Sequence, residues 1–341
     1  MKKLRKVLVV AGLSLGLLLI AGITIGAGWS PLFGPRARVL TNRTFERTPE
    51  RLARGKYLVT SVTGCFDCHA PHDWSKHDAP VVPGMEAAGQ DMIIDKGLPG
   101  HVVAPNLSSD IETGAGAWSD DMFARAIREG IGHDGRALFP MMPYQHFSQL
   151  SDEDLASIVV YIRSLPPVQN PLPKTEIIFP VKYLMRSAPQ PVLKPVAPPD
   201  LSTPEKRGAY LVNIAACADC HTPQRKGQPL PGMDFSGGFV LEGPWGRVAS
   251  ANLTPDPSGI PYYDEARFIE TLRTGKVGAR ELNQIMPWSS FRHMSDEDLK
   301  AIYAYLKTLQ PVSHRVDNSL PPTYCPLCRS YHGGGELNKK R

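Results

Sequence analysis

The chain has 341 residues, 42% apolar and 21% charged, which is enough for two domains that each bury a core. The net charge of +5 is mild, and much of it sits at the ends, in Lys2, Lys3, Arg5 and Lys6 and in Lys339, Lys340 and Arg341. No basic stripe interleaved with aromatics exists, so nucleic acid is not an expected partner, while 33 prolines point to long ordered loops or a Pro-rich linker.

The basic start precedes an apolar run from Val7 to Trp29 that holds no charge. That length can span a bilayer and exceeds the apolar region of a usual signal peptide. Basic residues on the N-terminal side keep that end in the cytoplasm. Residues 1–30 are therefore expected to be a single-pass anchor in the cytoplasmic (inner) membrane, with the remaining chain on the periplasmic, outer face. A cleaved leader is the alternative, with Ile25 to Gly28 as a poor cleavage site.

From there the chain is written twice. RGKYLVTSVTGCFDCHAP from Arg54 matches RGAYLVNIAACADCHTP from Arg207, and VPGM at Val82 matches LPGM at Leu230. APNLSSD matches SANLTPD, pairing Asn106 with Asn252, and MPYQHFSQLSDEDL matches MPWSSFRHMSDEDL. Two homologous units follow, at 45–168 and 203–313. In each, Thr-Pro-Glu (Thr48, Thr203) reads as an N-cap, a first-turn proline and an acidic first turn. DDMFARAIREG and EARFIETLRTG read as a middle helix ending at Gly130 or Gly275. Ser151 with Asp154, and Ser295 with Asp298, start a last helix in a capping-box-like manner, whose apolar spacing makes one face. Pro166 and Pro311 stop those helices. Each unit is thus small and mostly α, with few strand signals. Residues 169–202 form a Pro-rich, semi-rigid linker, and its apolar patch, Ile177 to Met185, is expected to pack between the units.

The chemistry lies in CFDCH (Cys65, Cys68, His69) and CADCH (Cys217, Cys220, His221). Residues i and i+3 share a helical face, so two thiols can add to the two vinyl groups of one haem, and the next imidazole reaches the iron from the same side. A redox or zinc Cys pair competes for a lone match; two matches at equivalent places on an exported chain favour two covalently bound haem c groups. The shared Met-Pro nominates Met142 and Met286 as the second axial ligands, in loops without helical core patterning. Met141, opposite Ile285, is expected to be core.

Each half resembles a class I cytochrome c domain, and NLTPDPSGI, FSGG and MPWSSF are similar to segments in the cytochrome c subunits of membrane-bound bacterial alcohol, aldehyde and gluconate dehydrogenases. The likeness runs from Arg54 to Val312. It implies two tandem cytochrome c domains behind the anchor, carrying electrons from a dehydrogenase towards the quinone pool or an oxidase. Well-known members carry three haems and this chain has two, and an anchor before the first domain also differs from the usual leader. Pro83 and Pro231 resemble the proline whose carbonyl accepts a bond from the haem-ligating imidazole. Asn106, Asn252, Trp118 and Tyr263 could donate to haem propionates, and Arg128 and Arg273 could pair with them.

The expected function is electron transfer without bond-making chemistry, as a membrane-anchored dihaem cytochrome c in a larger respiratory or photosynthetic complex. Expected redox partners are a dehydrogenase, a quinol-oxidising complex, an oxidase or a reaction centre. A dihaem enzyme of peroxidase or thiosulfate-oxidising type is the alternative, and it would need a vacant or displaceable iron position. Residues 314–341 form a tail with a third pair, Cys325 and Cys328, followed by Arg329. It lies outside the repeat with no later Met-Pro, so a third haem is not expected. A short disulfide loop is the expected state; with His332 the pair gives only three metal ligands, and a partner would have to supply a fourth. Of the histidines without a repeated partner, His72, His77, His101, His133, His146, His293 and His314, most are expected on surfaces or loops.

Overall fold

A computed structural model describes residues 2–22, 28–92 and 97–339, and helices joined by long loops dominate it. In chain order they are α1 (Lys2–Gly22) and α2 (Ser30–Phe33), then α3 (Pro49–Tyr57), α4 (Cys65–His69), α5 (Asp120–Glu129), α6 (Tyr144–Phe147) and α7 (Asp152–Ile162). After α8 (Val181–Leu184) the second unit repeats the set as α9 (Pro204–Ile214), α10 (Cys217–His221), α11 (Glu265–Thr274), α12 (Trp288–Phe291) and α13 (Asp296–Thr308). The strands described form only two-stranded antiparallel ladders.

The helix ends follow the local chemistry read from the sequence. Thr48 and Thr203 accept from the amides of Arg51 and Lys206, and Ser151 and Ser295 accept from those of Asp154 and Asp298, each satisfying an orphan first-turn donor. Gly130 and Gly275 end α5 and α11 in the left-handed region, at φ 70° and 69°. The first copy holds one more residue between its glycine and its first cysteine, and the chain absorbs it as a wider turn over Leu58–Val62 that returns Cys65 to the position of Cys217.

In each unit the first and last helices cross where a glycine lets the backbones touch. A Cβ on Gly55 would lie 1.9 Å from the Ser157 carbonyl oxygen, and one on Gly208 would lie 1.9 Å from that of Ala301. Leu58, Val59, Leu155, Ile158 and Val159 form the core around the first crossing, and Leu211, Val212, Leu299 and Ile302 form it around the second.

The two units face each other about an approximate two-fold axis, so the central contacts occur twice. Tyr210 of the second unit donates to the buried Asp154 of the first at 2.7 Å, and Tyr57 of the first donates to the buried Asp298 of the second. Each carboxylate is also paired within its own unit, Asp154 with Arg54 and Asp298 with Arg207. On either side of these contacts, Ser290 donates to Asp67 at 2.7 Å, and His146 bridges Asp219 and Asn213, each at 2.9 Å. Ser290 and His146 occupy the same place in the repeat.

One expectation about the linker fails. Its apolar patch does not fill the groove between the units. Glu176–Ile177 pairs with Gly100–His101, while Ile178, Phe179 and Leu184 are exposed. The turn at α8 instead lies against α2, where Arg186 donates to the Pro31 carbonyl at 3.2 Å. Between the units, polar pairs and aromatic contacts such as Trp74 with Trp245, ring centroids 5.0 Å apart, already occupy the interface without the linker.

Candidate cofactor sites

Each Cys-x-x-Cys-His stretch forms a single helical turn entered from a left-handed residue, Gly64 at φ 57° or Ala216 at φ 51°. That entry lifts the turn off the preceding helix and puts both sulfurs on one side. None of the six cysteines is in a disulfide. Burial pushes the thiols up, Cys65 to about 11 and Cys68 and Cys217 to about 12, so they stay neutral until they react. Cys220 of the second unit adds to the rise at Cys68, so the two turns lie near each other across the interface.

The imidazoles are oriented from behind. His69 Nδ1 lies 2.8 Å from the carbonyl oxygen of Pro105, and His221 Nδ1 lies 2.7 Å from that of Ala251. An Nδ1–H donated there leaves Nε2 as the nitrogen that can meet an iron. Burial lowers the pKa of both rings against the small upward pull of the carbonyls, so both are neutral, the form that binds metal. The accepting loops are pinned in turn. Gly89 and Gly237 donate to the carbonyls of His69 and His221 at 2.8 and 2.7 Å, and a Cβ on either would collide with the strand before Asn106 or Asn252.

This arrangement corrects the role given to Pro83 and Pro231. The acceptor is the carbonyl just before Asn106 or Asn252, and a backbone carbonyl needs no proline to serve, as Ala251 shows. The asparagines are also otherwise engaged. Asn106 Nδ2 donates to Val168 O at 2.7 Å and to Thr113, while Asn252 Nδ2 donates to Val312 O at 2.8 Å and to Ser258 and His314. Their amide protons therefore tie the loop to the chain leaving the last helix and are not available to a propionate. Arg128 reaches Asp152 at 2.6 Å and the Leu150 carbonyl, and Arg273 reaches Asp296 at 2.6 Å and the Arg292 carbonyl. Both brace the middle helix against the start of the last one. Trp118 stacks on His133 at 4.4 Å and contacts Phe123, and Tyr263 is buried beside Tyr262.

Met142 and Met286 lie half-buried against the core in matching turns, held by bonds from Tyr144 N at 2.8 Å and Trp288 N at 2.7 Å to their carbonyls. Met141 packs instead against a small apolar cluster of Met92, Val102 and Ala104. Three of the histidines expected mostly on surfaces or loops make specific internal contacts or are buried. His72 bridges the carbonyls of Ala79 and Phe66, His146 joins the two units, and His314 is fully buried.

Two thiols and a backward-tethered, neutral imidazole on one turn, built twice, define a protein made to hold haem covalently. Comparison with known proteins agrees. The chain belongs to the cytochrome c family, whose model, described as cytochrome c, matches residues 52–166 and 205–310. It is 28% identical over 281 residues to the cytochrome c subunit of a quinone-dependent alcohol dehydrogenase of Gluconobacter oxydans, covering 76% of this chain and 55% of that one. It is 29% identical over 276 residues to the fructose dehydrogenase cytochrome subunit of Gluconobacter japonicus (76% and 52%). A diheme cytochrome c-type protein of Cereibacter sphaeroides is 27% identical over 260 residues, covering 73% of this chain and 83% of that one. The chain spans about half the length of the two dehydrogenase subunits.

Proposed function

We propose that the chain is a membrane-anchored dihaem electron carrier, with cytochrome c domains at 45–168 and 203–313, that works as a subunit of a dehydrogenase or other respiratory-type complex. The observation that carries this reading is that the two Cys-x-x-Cys-His turns lie near each other, each tied to the other unit by Asp67–Ser290 or Asp219–His146. Haem bound at each turn supplies one-electron chemistry, and two such groups on adjoining turns make a short path between units. The protein's part is to fix geometry. Cys65, Cys68, Cys217 and Cys220 would hold the groups, His69 and His221 would ligate iron from one side, and Met142 and Met286 would ligate it from the other. Trp118 and Tyr263 remain the candidates for contact with the propionates.

Membrane attachment has two supports. α1 is an apolar helix long enough to cross a bilayer, although a signal sequence would share those properties. In addition, Leu32, Phe33, Phe179 and Leu184 are exposed around the contact between α2 and α8, which suits a surface resting on lipid.

Purified from membranes, the protein should carry two irons in covalent haem. Met142→Ala should abolish the weak near-infrared methionine–iron band of the first site alone, and Met286→Ala that of the second. An unchanged band in both variants refutes the axial assignment. Co-purification of a dehydrogenase from detergent-solubilised membranes tests the subunit reading, and a carrier recovered always alone refutes it.

A further inference from the structure

The tail pair Cys325 and Cys328 does not stand by itself. It lies in the turn of a hairpin, Pro322–Tyr324 with Tyr331–Gly333, and faces His332 from the returning strand and His314 from the chain leaving α13. The four ligand atoms lie within 4.8 Å of one another, and all four residues are buried, none more than 3% exposed. We propose that His314, Cys325, Cys328 and His332 form a closed zinc site that clips the tail to the loop behind His221. This goes beyond the haem reading and does not depend on it.

The donor set is two thiolates and two imidazoles, which suits tetrahedral zinc, whose bond lengths imply ligand–ligand edges of about 3.4–3.8 Å. The His314 Nε2 to Cys325 Sγ separation is already 3.3 Å. Both rings are turned for this use. His314 Nδ1 lies 2.9 Å from the Ser236 carbonyl and His332 Nδ1 lies 3.1 Å from that of Gly333, which directs each Nε2 inward. The inward Nε2 of His332 is buried and makes no hydrogen bond, so a metal would satisfy an atom that is otherwise costly to bury. Zinc with two thiolates is also neutral overall, which makes full burial tolerable. A Cys325–Cys328 disulfide would leave both imidazoles aimed at sulfurs with nothing to coordinate.

The repeat supplies an internal control. Asn170 occupies in the first unit the place of His314 in the second, and its Nδ2 donates to Ala88 O at 2.9 Å, as His314 Nδ1 does to Ser236 O. Both side chains tether the exit strand to the same loop. The imidazole adds a second nitrogen, and Gly238 makes room for it. A Cβ at Gly238 would lie 2.5 Å from His314 Cε1, and φ there is +87°. Gln90 stands at the matching place in the first unit. Gly237, next to Ser236, donates to the His221 carbonyl, so the site lies directly behind the second attachment turn. Tail contacts elsewhere are ordinary hydrogen bonds, Asn318 with both backbone groups of Ala249 and Arg247 with the Tyr331 carbonyl. Four protein ligands leave no open position, so the site is structural.

The test is elemental analysis and zinc-edge X-ray absorption on the full-length, haem-loaded protein. One zinc per chain, with two sulfur and two nitrogen neighbours, is expected. Cys328→Ser should lower zinc at least tenfold without changing the iron content. His314→Asn, which copies the first unit and keeps the bond to Ser236, should lower zinc retention against a chelator at least tenfold while leaving the near-infrared band of the first unit intact. Should these variants fail to fold, alkylation of the denatured wild-type chain without reductant decides. Two modified cysteines support the site, and a Cys325–Cys328 disulfide overturns it. Zinc well below one per chain, a different metal on these residues, or zinc without sulfur neighbours would also overturn it.

Discussion

Replacing Gly208 with alanine sets two effects of opposite sign against each other. Gly208 lies inside α9, where alanine is favoured by helix propensity by about 1 kcal/mol. The added Cβ, however, would lie 1.9 Å from the Ala301 carbonyl oxygen and 2.7 Å from Tyr305 Cβ. The nearest atom is backbone of α13, so no side-chain rotation relieves the clash, and the two helices must move apart by more than 1 Å. Overpacking of that kind costs about 3 kcal/mol or more, so packing wins, and the variant should lose roughly 2 kcal/mol. For a domain of this size that is a fall in melting temperature of roughly 6–10 °C. Calorimetry together with the near-infrared band of each unit would locate the loss in the second unit. Gly55→Ala should do the same to the first, against Ser157 and Tyr161. An unchanged or raised melting temperature in both variants would refute close backbone contact at the crossings.

Three further outcomes follow from the interface and from Arg38 and Thr41, which bind Asp121 of α5. Tyr210→Phe removes the hydroxyl bond to Asp154 but leaves the Arg54 pair, so it should cost about 1–2 kcal/mol in urea unfolding; combined with Tyr57→Phe, at the mirror contact, the loss should roughly double. His146→Ala should weaken the coupling between units by a similar amount, while His146→Ser, which copies Ser290, should keep a hydroxyl near Asp219 and recover part of the loss; equal losses would count against the two-fold equivalence. Burial alone would push Asp121 up, but Arg38 and the amide and hydroxyl of Thr41 hold its carboxyl below the usual carboxylate range. Its contribution is complete above the unfolded value of about 4 and is lost as pH falls through the lower folded value. Hydrogen-exchange protection of the Thr41 amide should therefore be flat from about pH 5 to 7 and fall below about 4.

Much of the fold was legible locally, because caps, glycine stops and the spacing of a haem-attachment turn act within a few residues. Thr48, Ser151, Gly130 and their partners in the second copy could be placed from chemistry that needs no tertiary partner. The repeat then carried each assignment from one half to the other. What failed were roles set by a neighbour distant in sequence. Pro83 lost the imidazole bond to Pro105 because a backbone acceptor leaves no mark on residue type. Arg128 and Arg273, equally charged wherever they point, turned out to meet the start of the last helix. His314 was missed because its second ligating partners lie beyond the repeat; the available signal was that it stands where the first copy has Asn170.

The sequence alone thus determined the two Cys-x-x-Cys-His turns and the helices that frame them, since each is written in residues a few positions apart. Only the tertiary structure decided that the turns lie near each other, and that the three possible metal ligands of the tail are joined by a fourth, His314. Those are meetings of side chains far apart in sequence, and packing, unlike local propensity, is decided by the whole chain at once.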